Sequence, residues 1–540
     1  MRSTMQDVEL SVSRLLRYGS TVHAGAQVTT WTEFGPRVRS FGEIGRRCAQ
    51  LAHALRELGI SGDQRVATFM WNNAEHLEAY LAVPAMGAVL HTLNIRLFPD
   101  QLVHVAEHAE DQVIIADASL LPLLVPHLPR LTSLRHLIVT GDDPAAAGEA
   151  PDGVQVHSYE QLLAGRATDF DWPPLDERSA AAMCYTSGTT GDPKGVVYSH
   201  RSIYLHSMQV CMTDATRLAQ GDRALVVVPQ FHAMAWGLPY AAFLIGASLL
   251  MPDRFLQPAP LAAMIAAEKP DFAAAVPTIW QGLHLYLRDN PADISSLREV
   301  LIGGSAVPPA LMHAFADEYG VEVLHAWGMT ETSPLGSVAR PPADATGERR
   351  WRYRYSQGRF PASVEARLVA ADGTLVPHDG AGLGELEVRG PWITGSYYGV
   401  DAADKFHDGW LRTGDVGSIS SDGYLTLSDR TKDIIKSGGE WISSVDLENA
   451  VMAHPGVAEA AVVAIPDPTW DERPLAVVVL RDPATTAGEV RQFLADKVAK
   501  WQLPENWAIV DEVPKTSVGK FDKKRLRADY ESGALSVIRL

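Results

Sequence analysis

The chain is 540 residues long, carries a formal net charge of −18, and is 46% hydrophobic and 21% charged. That length exceeds what one ordinary hydrophobic core covers, so two or more domains are expected, and the acidic balance argues against a nucleic-acid surface or a polybasic membrane anchor. Three cysteines (Cys48, Cys184, Cys211) without metal or disulfide spacing, and no uninterrupted run of 18 apolar residues, point to a soluble cytoplasmic protein with no integral membrane segment.

In chain order, Ile44, Cys48, Leu51, Leu55 and Leu58 repeat at helical spacing and stop at Gly59, which predicts a helix over 42–58. Apolar strands at 66–70, 113–116 and 136–139 then alternate with helical stretches, and a second such series runs through 224–228, 248–251, 272–276, 300–302 and 321–324. Alternation of this kind implies two parallel sheets covered on both faces. Segments 144–153 and the arginine-rich 340–356 read as loops, the second long and mobile. Between 360 and 428 short strands with Gly-containing turns suggest a small barrel-like β module. After it come strands at 460–465 and 475–480 and an amphipathic helix over 488–500. The expected architecture is α/β: an N-terminal domain over 1–429 with two doubly wound β/α subdomains and a small β-barrel, then a small, mobile α+β domain over 430–540.

Directly after the apolar run 180–184 stands Tyr185-Thr186-Ser187-Gly188-Thr189-Thr190-Gly191-Asp192-Pro193-Lys194-Gly195. Glycines let several backbone N–H groups converge on an anion, the hydroxyls add neutral donors and Lys194 adds charge. The loop suits a polyphosphate, yet its spacing is not that of a Walker A loop; a Gly/Ser/Thr cluster on its own is also ordinary turn composition. Downstream, in order, come Phe231-His232, Gly303-Gly304-Ser305-Ala306, Trp327-Gly328-Met329-Thr330-Glu331, Gly395-Ser-Tyr-Tyr-Gly399, Thr413-Gly414-Asp415, Asp429-Arg430-Thr431-Lys432-Asp433, Lys436-Ser-Gly-Gly-Glu440 and Gly519-Lys520. Together these resemble the successive motifs of the adenylate-forming superfamily of acyl-CoA synthetases, luciferases and peptide-synthetase adenylation domains. The stretches from Lys436 to Asn449 and from Lys500 to Pro504 resemble bacterial medium- and long-chain fatty-acyl-CoA synthetases most.

The resemblance implies an ATP- and Mg²⁺-dependent enzyme that converts a carboxylic acid to an acyl-AMP and then passes the acyl group to coenzyme A. Thr186, Ser187, Gly188, Thr189, Thr190, Gly191 and Lys194 would hold the phosphates. Glu331, with the Thr186 hydroxyl near it, would ligate Mg²⁺, a hard ion that takes few protein oxygens and completes its shell with water and phosphate. Thr330 would share the catalytic turn with Glu331. Gly304, Ser305, His325, Ala326 and Trp327 would flank adenine, and Asp415, Arg430, Lys432 and Trp441 would complete the nucleotide site. Lys520 would serve adenylation and Lys436 the thioester step, brought in alternately by rotation about Asp429. Gly303, Ala306, His232 and Trp236 would line the acid pocket, with Trp236 as its gate.

The implied partners are therefore small molecules: an aliphatic acid of medium or long chain, ATP and CoA. A short thioether, aryl or steroid side-chain acid is the alternative, since His325-Ala326-Trp327 departs from the Gln-Gly-Tyr expected of some long-chain members. Transfer to a carrier protein is the rival acceptor; it is disfavoured because no carrier domain follows and no acid in 231–240 could hold an amino group. Light emission and a non-catalytic binding module are the remaining rivals, and homodimerisation is left open. His104-Val-Ala-Glu107-His108 matches a zinc-peptidase pattern, but without a third ligand it reads as a polar helix face.

Overall fold

Ser40 begins the first long helix: its hydroxyl accepts the Glu43 N–H at 3.1 Å, and Phe41–Glu57 then buries Phe41, Ile44, Cys48, Leu51 and Leu55. The computed structural model describes residues 1, 3–141, 151–186, 192–437, 440–516 and 520–540, with Glu440 and Trp441 described for the backbone only. A seven-stranded sheet runs in the order Gln155–Ser158, His136–Thr140, Asp111–Asp117, Arg65–Phe69, Val89–Thr92, Ala180–Tyr185 and Gly195–Ser199. All its pairings are parallel except the last, where Ala180–Tyr185 and Gly195–Ser199 form the hairpin that brackets the Gly/Ser/Thr loop.

A second parallel sheet contains Gln27–Thr32, Ser248–Met251, Arg223–Val226, Phe272–Ala275, Glu299–Ile302 and Glu322–Gly328 in that order. The N-terminal hairpin Gln27–Thr32/Gly35–Ser40 thus belongs to this sheet, pairing with a strand more than two hundred residues later. Helix Ala74–Ala85 is buried along its whole length because it packs on strands of both sheets. Its buried carboxylates are paired where it meets the N-terminal elements, Glu75 with Arg37 and Arg39 and Glu78 with Arg39 and Arg47. Asn73 caps it by accepting the His76 N–H at 2.9 Å, and the neighbouring Asn72 donates to the carbonyls of Val226 and Val228, tying the two layers together.

At Glu322–Gly328 the second sheet changes direction: Leu335–Val338 pairs with it antiparallel and continues into Gly358–Arg359, Tyr424–Arg430, Trp410–Ile419 and Gly384–Arg389. The β module is therefore hydrogen-bonded to the parallel sheet through one strand. Beyond it, the long hairpin Val457–Asp467/Asp471–Leu480 carries helices Ser444–Met452 and Lys523–Glu531.

Two local expectations fail. Residues 347–355 are not loop but the helix Gly347–Tyr355. Its arginines conceal the pattern: Trp351 and Tyr355, one turn apart, both pack against His313, and the Arg354 guanidinium lies 4.3 Å from the Trp351 ring centre. The helix expected over 488–500 ends at Leu494. Val490 and Leu494 are its last fully buried positions, and the following turn leaves only Val498 half-buried.

Candidate active site

The hairpin that ends in Tyr185 and restarts at Gly195 closes its loop with two bonds: Thr186 N–H to the Lys194 carbonyl and Lys194 N–H to the Thr186 hydroxyl, both 3.0 Å. Thr186, Asp192 and Lys194 face a cavity of about 360 Å³. Ser187, Gly188, Thr189, Thr190 and Gly191 lie outside the described residues. The base of the loop is buttressed from behind, where Tyr185 and His108 share a hydrogen bond of 2.7 Å. His108 belongs to the H-x-x-E-H stretch, a helix over Pro99–Ala109, whose Glu107 accepts from the Thr132 hydroxyl and the Ser133 N–H.

Glu331 sits in the tight turn Thr330–Thr332 that follows strand Glu322–Gly328. It is 6% exposed and faces the same cavity. One carboxylate oxygen accepts the Tyr397 hydroxyl at 2.7 Å, while the turn is pinned by Tyr198, whose hydroxyl donates to the Thr330 carbonyl at 2.7 Å. Burial, and then the Glu331 charge, hold the Tyr397 phenol far above its ordinary range, so it stays a donor. The Lys194 ammonium lies 5.1 Å above the Tyr397 ring, a cation–π contact.

Across the cavity, Asp415 is paired in register with Arg430. Its carboxylate accepts the Trp327 indole N–H at 2.7 Å and lies 3.2 Å from Arg430 Nε. That contact raises the Arg430 pKa, so the guanidinium is a permanent charge. Lys432, its pKa lowered by burial, joins Arg430 and Lys520 in lining both this cavity and an adjoining one of about 610 Å³. Ser305, Ala306, His325, Ala326 and Trp327 border that second space, where burial holds the His325 imidazole neutral at about 4. Ala306, expected with Gly303 at the acid pocket, lines the second space and not the first, the chain turning between them through Gly304 at φ +87°.

The missing side chains of Gly303 and Gly304 matter sterically. A β-carbon on Gly303 would stand 2.9 Å from the Ala326 carbonyl oxygen and 3.4 Å from Trp236 Cη2. One on Gly304 would stand 3.7 Å from Lys520 Cε. Lys520 therefore reaches the floor of the site, where burial and Arg430 lower its pKa to about 8 against the opposing pull of Asp415 and Glu331. Lys436 is elsewhere: exposed on the strand Ile435–Ser437, it lines neither cavity, and its N–H donates to Glu472 at 2.7 Å. The backbone of Trp441 pairs opposite it, while the Trp441 side chain is outside the description. Asp429 is 5% exposed, and its carboxylate accepts both the N–H and the hydroxyl of Ser444 at 2.7 and 2.5 Å.

The first cavity is also lined by the apolar Val210, Ala215, Leu238, Leu301, Leu335 and Val338. His232, neutral because burial holds it at about 3, and Trp236 line the same cavity. Trp236 closes a run of four non-glycine residues, Ala233 to Trp236, all with φ between 44° and 55°. Left-handed backbone of this length costs roughly 1–2 kcal/mol per residue and is kept only where its surroundings enforce it. Sequence reasoning missed Lys405 and Arg412, which add charge to the cavity, and gave no role to Tyr397, although its motif was singled out. A tyrosine two residues after Gly395 carried no chemical signal without its partner Glu331.

Comparison with known proteins places this geometry. Residues 21–398 match the AMP-binding enzyme family and 446–520 match its C-terminal domain. The chain is 42% identical to a 3-methylmercaptopropionyl-CoA ligase of Ruegeria pomeroyi, over 98% of this chain and 99% of that one. It is 43% identical to a long-chain-fatty-acid–CoA ligase of Thermus thermophilus, over 98% and 97%. A solved anthranilate CoA ligase in complex with anthranoyl-AMP superposes with a TM-score of 0.88 at 25% identity, covering 99% of this chain and all of that one. A match over most of the length, with Thr186, Lys194, Glu331, Asp415 and Lys520 lining one pair of cavities, leaves one assignment: the chain belongs to the AMP-binding enzyme family.

Proposed function

We propose that this protein is an AMP-forming ligase that joins an aliphatic carboxylic acid to coenzyme A through an acyl-AMP. The observation that carries the reading is the convergence of Lys520, Glu331, Lys194 and Arg430 on one cavity that Val210, Ala215, Leu238, Leu301 and Val338 also line. Two negative reactants, a carboxylate and the α-phosphate of ATP, must meet in that cavity. Preorganised cations offset the charge that builds as they approach.

In this reading Lys520 sits where the acid's carboxylate meets the α-phosphate and neutralises both. The loop from Thr186 to Lys194 and the cations Lys405 and Lys432 hold the departing pyrophosphate. Asp415 accepts the ribose hydroxyls, and the ridges at Gly303–Ser305 and His325–Trp327 flank adenine. The free carboxylate oxygen of Glu331 and the Thr186 hydroxyl fit a hard divalent ion with oxygen ligands, and Mg²⁺ there supplies electrostatic polarisation of the phosphates. The C-terminal domain, taken to begin after Asp429, then turns to withdraw Lys520 and bring the Lys436 hairpin to the thiol path.

The acid is aliphatic because these apolar residues offer its tail no charge to pair with. Relatives of 42% and 43% identity act, by their names, on a short thioether acid and on long-chain fatty acids, so identity does not set the tail length. The test is a panel of straight-chain, thioether and aryl acids scored for pyrophosphate release with and without CoA. Release with aliphatic acids, and thioester only with CoA, supports the reading; release only with aryl or amino acids overturns it.

A further inference from the structure

We propose that the buried ion pair Arg340–Glu299 is a positioning device that sets the depth of the acyl pocket. The idea rests on the reading of the apolar cavity residues as the acyl subsite. Arg340 and Glu299 are 6% and 3% exposed, with two nitrogen–oxygen contacts of 2.9 and 3.0 Å. Neither touches the cavity. The guanidinium instead donates from both Nε (2.9 Å) and Nη2 (2.6 Å) to the carbonyl oxygen of Ala215, and Ala215 and Thr216 are part of the cavity wall.

Strand register shows which part of the wall this is. Gly328 pairs with Leu335 next to the Glu331 turn, Ala326 pairs with Val338, and Arg340 lies two residues further on. Glu299 opens the strand whose far end leads to Gly303. At about 3.3 Å per residue, the pair stands roughly 13 Å along the strand from Gly303. It therefore anchors the end away from Lys520.

Apart from this anchor the segment is held by turn bonds, such as Ala215 N–H to the Met212 carbonyl at 3.0 Å and Thr216 N–H to the Val210 carbonyl at 3.1 Å, and by the burial of Ala215 and Leu218. Residues 212–218 form no helix or strand, Arg217 has φ +57°, and the Thr216 hydroxyl is committed to the Val210 carbonyl at 2.6 Å. With that hydroxyl donor and the Ala215 carbonyl both committed, this part of the wall favours an unsubstituted apolar tail that ends against Ala215. A buried ion pair is weak evidence for stability, and replacement by apolar groups is often neutral. Its place here is explained by the carbonyl that Arg340 fixes, a task a lysine's single ammonium cannot share with Glu299 in the same forked geometry.

Straight-chain acids from butanoate to hexadecanoate, measured as kcat/KM for pyrophosphate release, test the proposal. In Arg340→Lys, and in Arg340→Met with Glu299→Leu, the wall loosens and the optimum moves to longer acids. The ratio of kcat/KM for an acid two carbons above the wild-type optimum to that at the optimum should rise about tenfold, the scale of one or two methylenes in an apolar pocket, with the KM for ATP unchanged. An unchanged optimum in Arg340→Lys overturns the proposal, whatever happens to melting temperature or to the double variant. Ala215→Leu separates the two layers of argument. A shift to shorter acids there with no shift in the Arg340 variants defeats the ion pair's role alone, whereas no shift in Ala215→Leu defeats the acyl reading of the cavity.

Discussion

Tyr397 donates its hydroxyl to Glu331 at 2.7 Å, joining a motif of the β module to the acidic turn that ends the parallel sheet. Glu331 is thereby held by one oxygen while the other faces the cavity.

Glu331→Gln keeps the shape of that side chain and removes its charge. Acyl-AMP formation should fall by about two orders of magnitude or more, the scale of deleting one preorganised electrostatic group. Tyr397→Phe leaves the charge and removes only its orientation, so a loss of about tenfold is expected, in line with one hydrogen bond to a charged group. Pyrophosphate release titrated with Mg²⁺ checks both, and equal losses in the two variants would contradict separate roles.

Lys520 and Lys436 should divide the two half-reactions. Lys520→Ala should abolish acyl-AMP formation and leave thioester formation from supplied acyl-AMP largely intact; Lys436→Ala should show the opposite bias. Single-turnover assays of each half decide it. Equal loss of both halves in both variants defeats domain alternation.

The Lys520 pKa of about 8 predicts the alkaline limb of adenylation. The ammonium form is the useful one, and it is present below that value and lost above it. The kcat/KM for ATP, which reports the free enzyme, should fall as pH rises past about 8. In Lys520→Arg, whose guanidinium does not titrate in this range, the limb should vanish even if the rate is lower throughout.

Asp117 offers a stability test away from the chemistry. Burial, opposed by the Thr140 hydroxyl, pushes its carboxyl from 3.8 up to about 7, with Asp253 and Glu75 adding repulsion. The native state then binds more protons than the unfolded chain between those values, so stability falls as pH rises through that window, by about 4 kcal/mol for a three-unit shift. Asp117→Asn removes this component while sacrificing one acceptor for Trp71, Asn73 and Thr140. Unfolding free energies from pH 4.5 to 8 should slope downward more steeply in the wild type; parallel slopes would show that Asp117 does not titrate there.

Gly303→Ala should impair the site sterically. Its β-carbon meets the Ala326 carbonyl at 2.9 Å, a backbone atom that cannot step aside without moving the strand Glu322–Gly328. A rise in the KM for ATP beside a modest change in melting temperature is expected. Trp236→Ala should instead relax chain-length preference; a lowered melting temperature with an unchanged acid profile would mark Trp236 as packing alone.

Much of the site was legible because its residues sit in short, ordered motifs: Thr186, Lys194, Glu331, Asp415, Arg430 and Lys520 were all named by position, and the structure gathers them. What escaped was non-local. The bond from Tyr397 to Glu331 spans 66 residues, and the N-terminal hairpin finds its sheet partner at Ser248–Met251; neither leaves a periodic trace. The helix Gly347–Tyr355 escaped for another reason, since its face is covered by cation–aromatic stacking rather than by aliphatic residues at regular spacing. Lys405 had no motif at all and is recognisable only by the cavity it enters.

Asp415 and Arg430 occupy one rung of an antiparallel ladder, a single residue beyond Asp429. A nucleotide that recruits the Asp415 carboxylate competes with the Arg430 guanidinium for it, and a turn of the C-terminal segment that unpairs the rung releases the same carboxylate. In the proposed reading, a ribose held by Asp415 and the orientation of the lysine-bearing segment would be two ligands of one acid. By linkage, whatever factor a bound nucleotide imposed on the segment's orientation, the orientation would return to nucleotide affinity. Departure of AMP and repositioning of Lys520 and Lys436 would then be coupled through this one carboxylate.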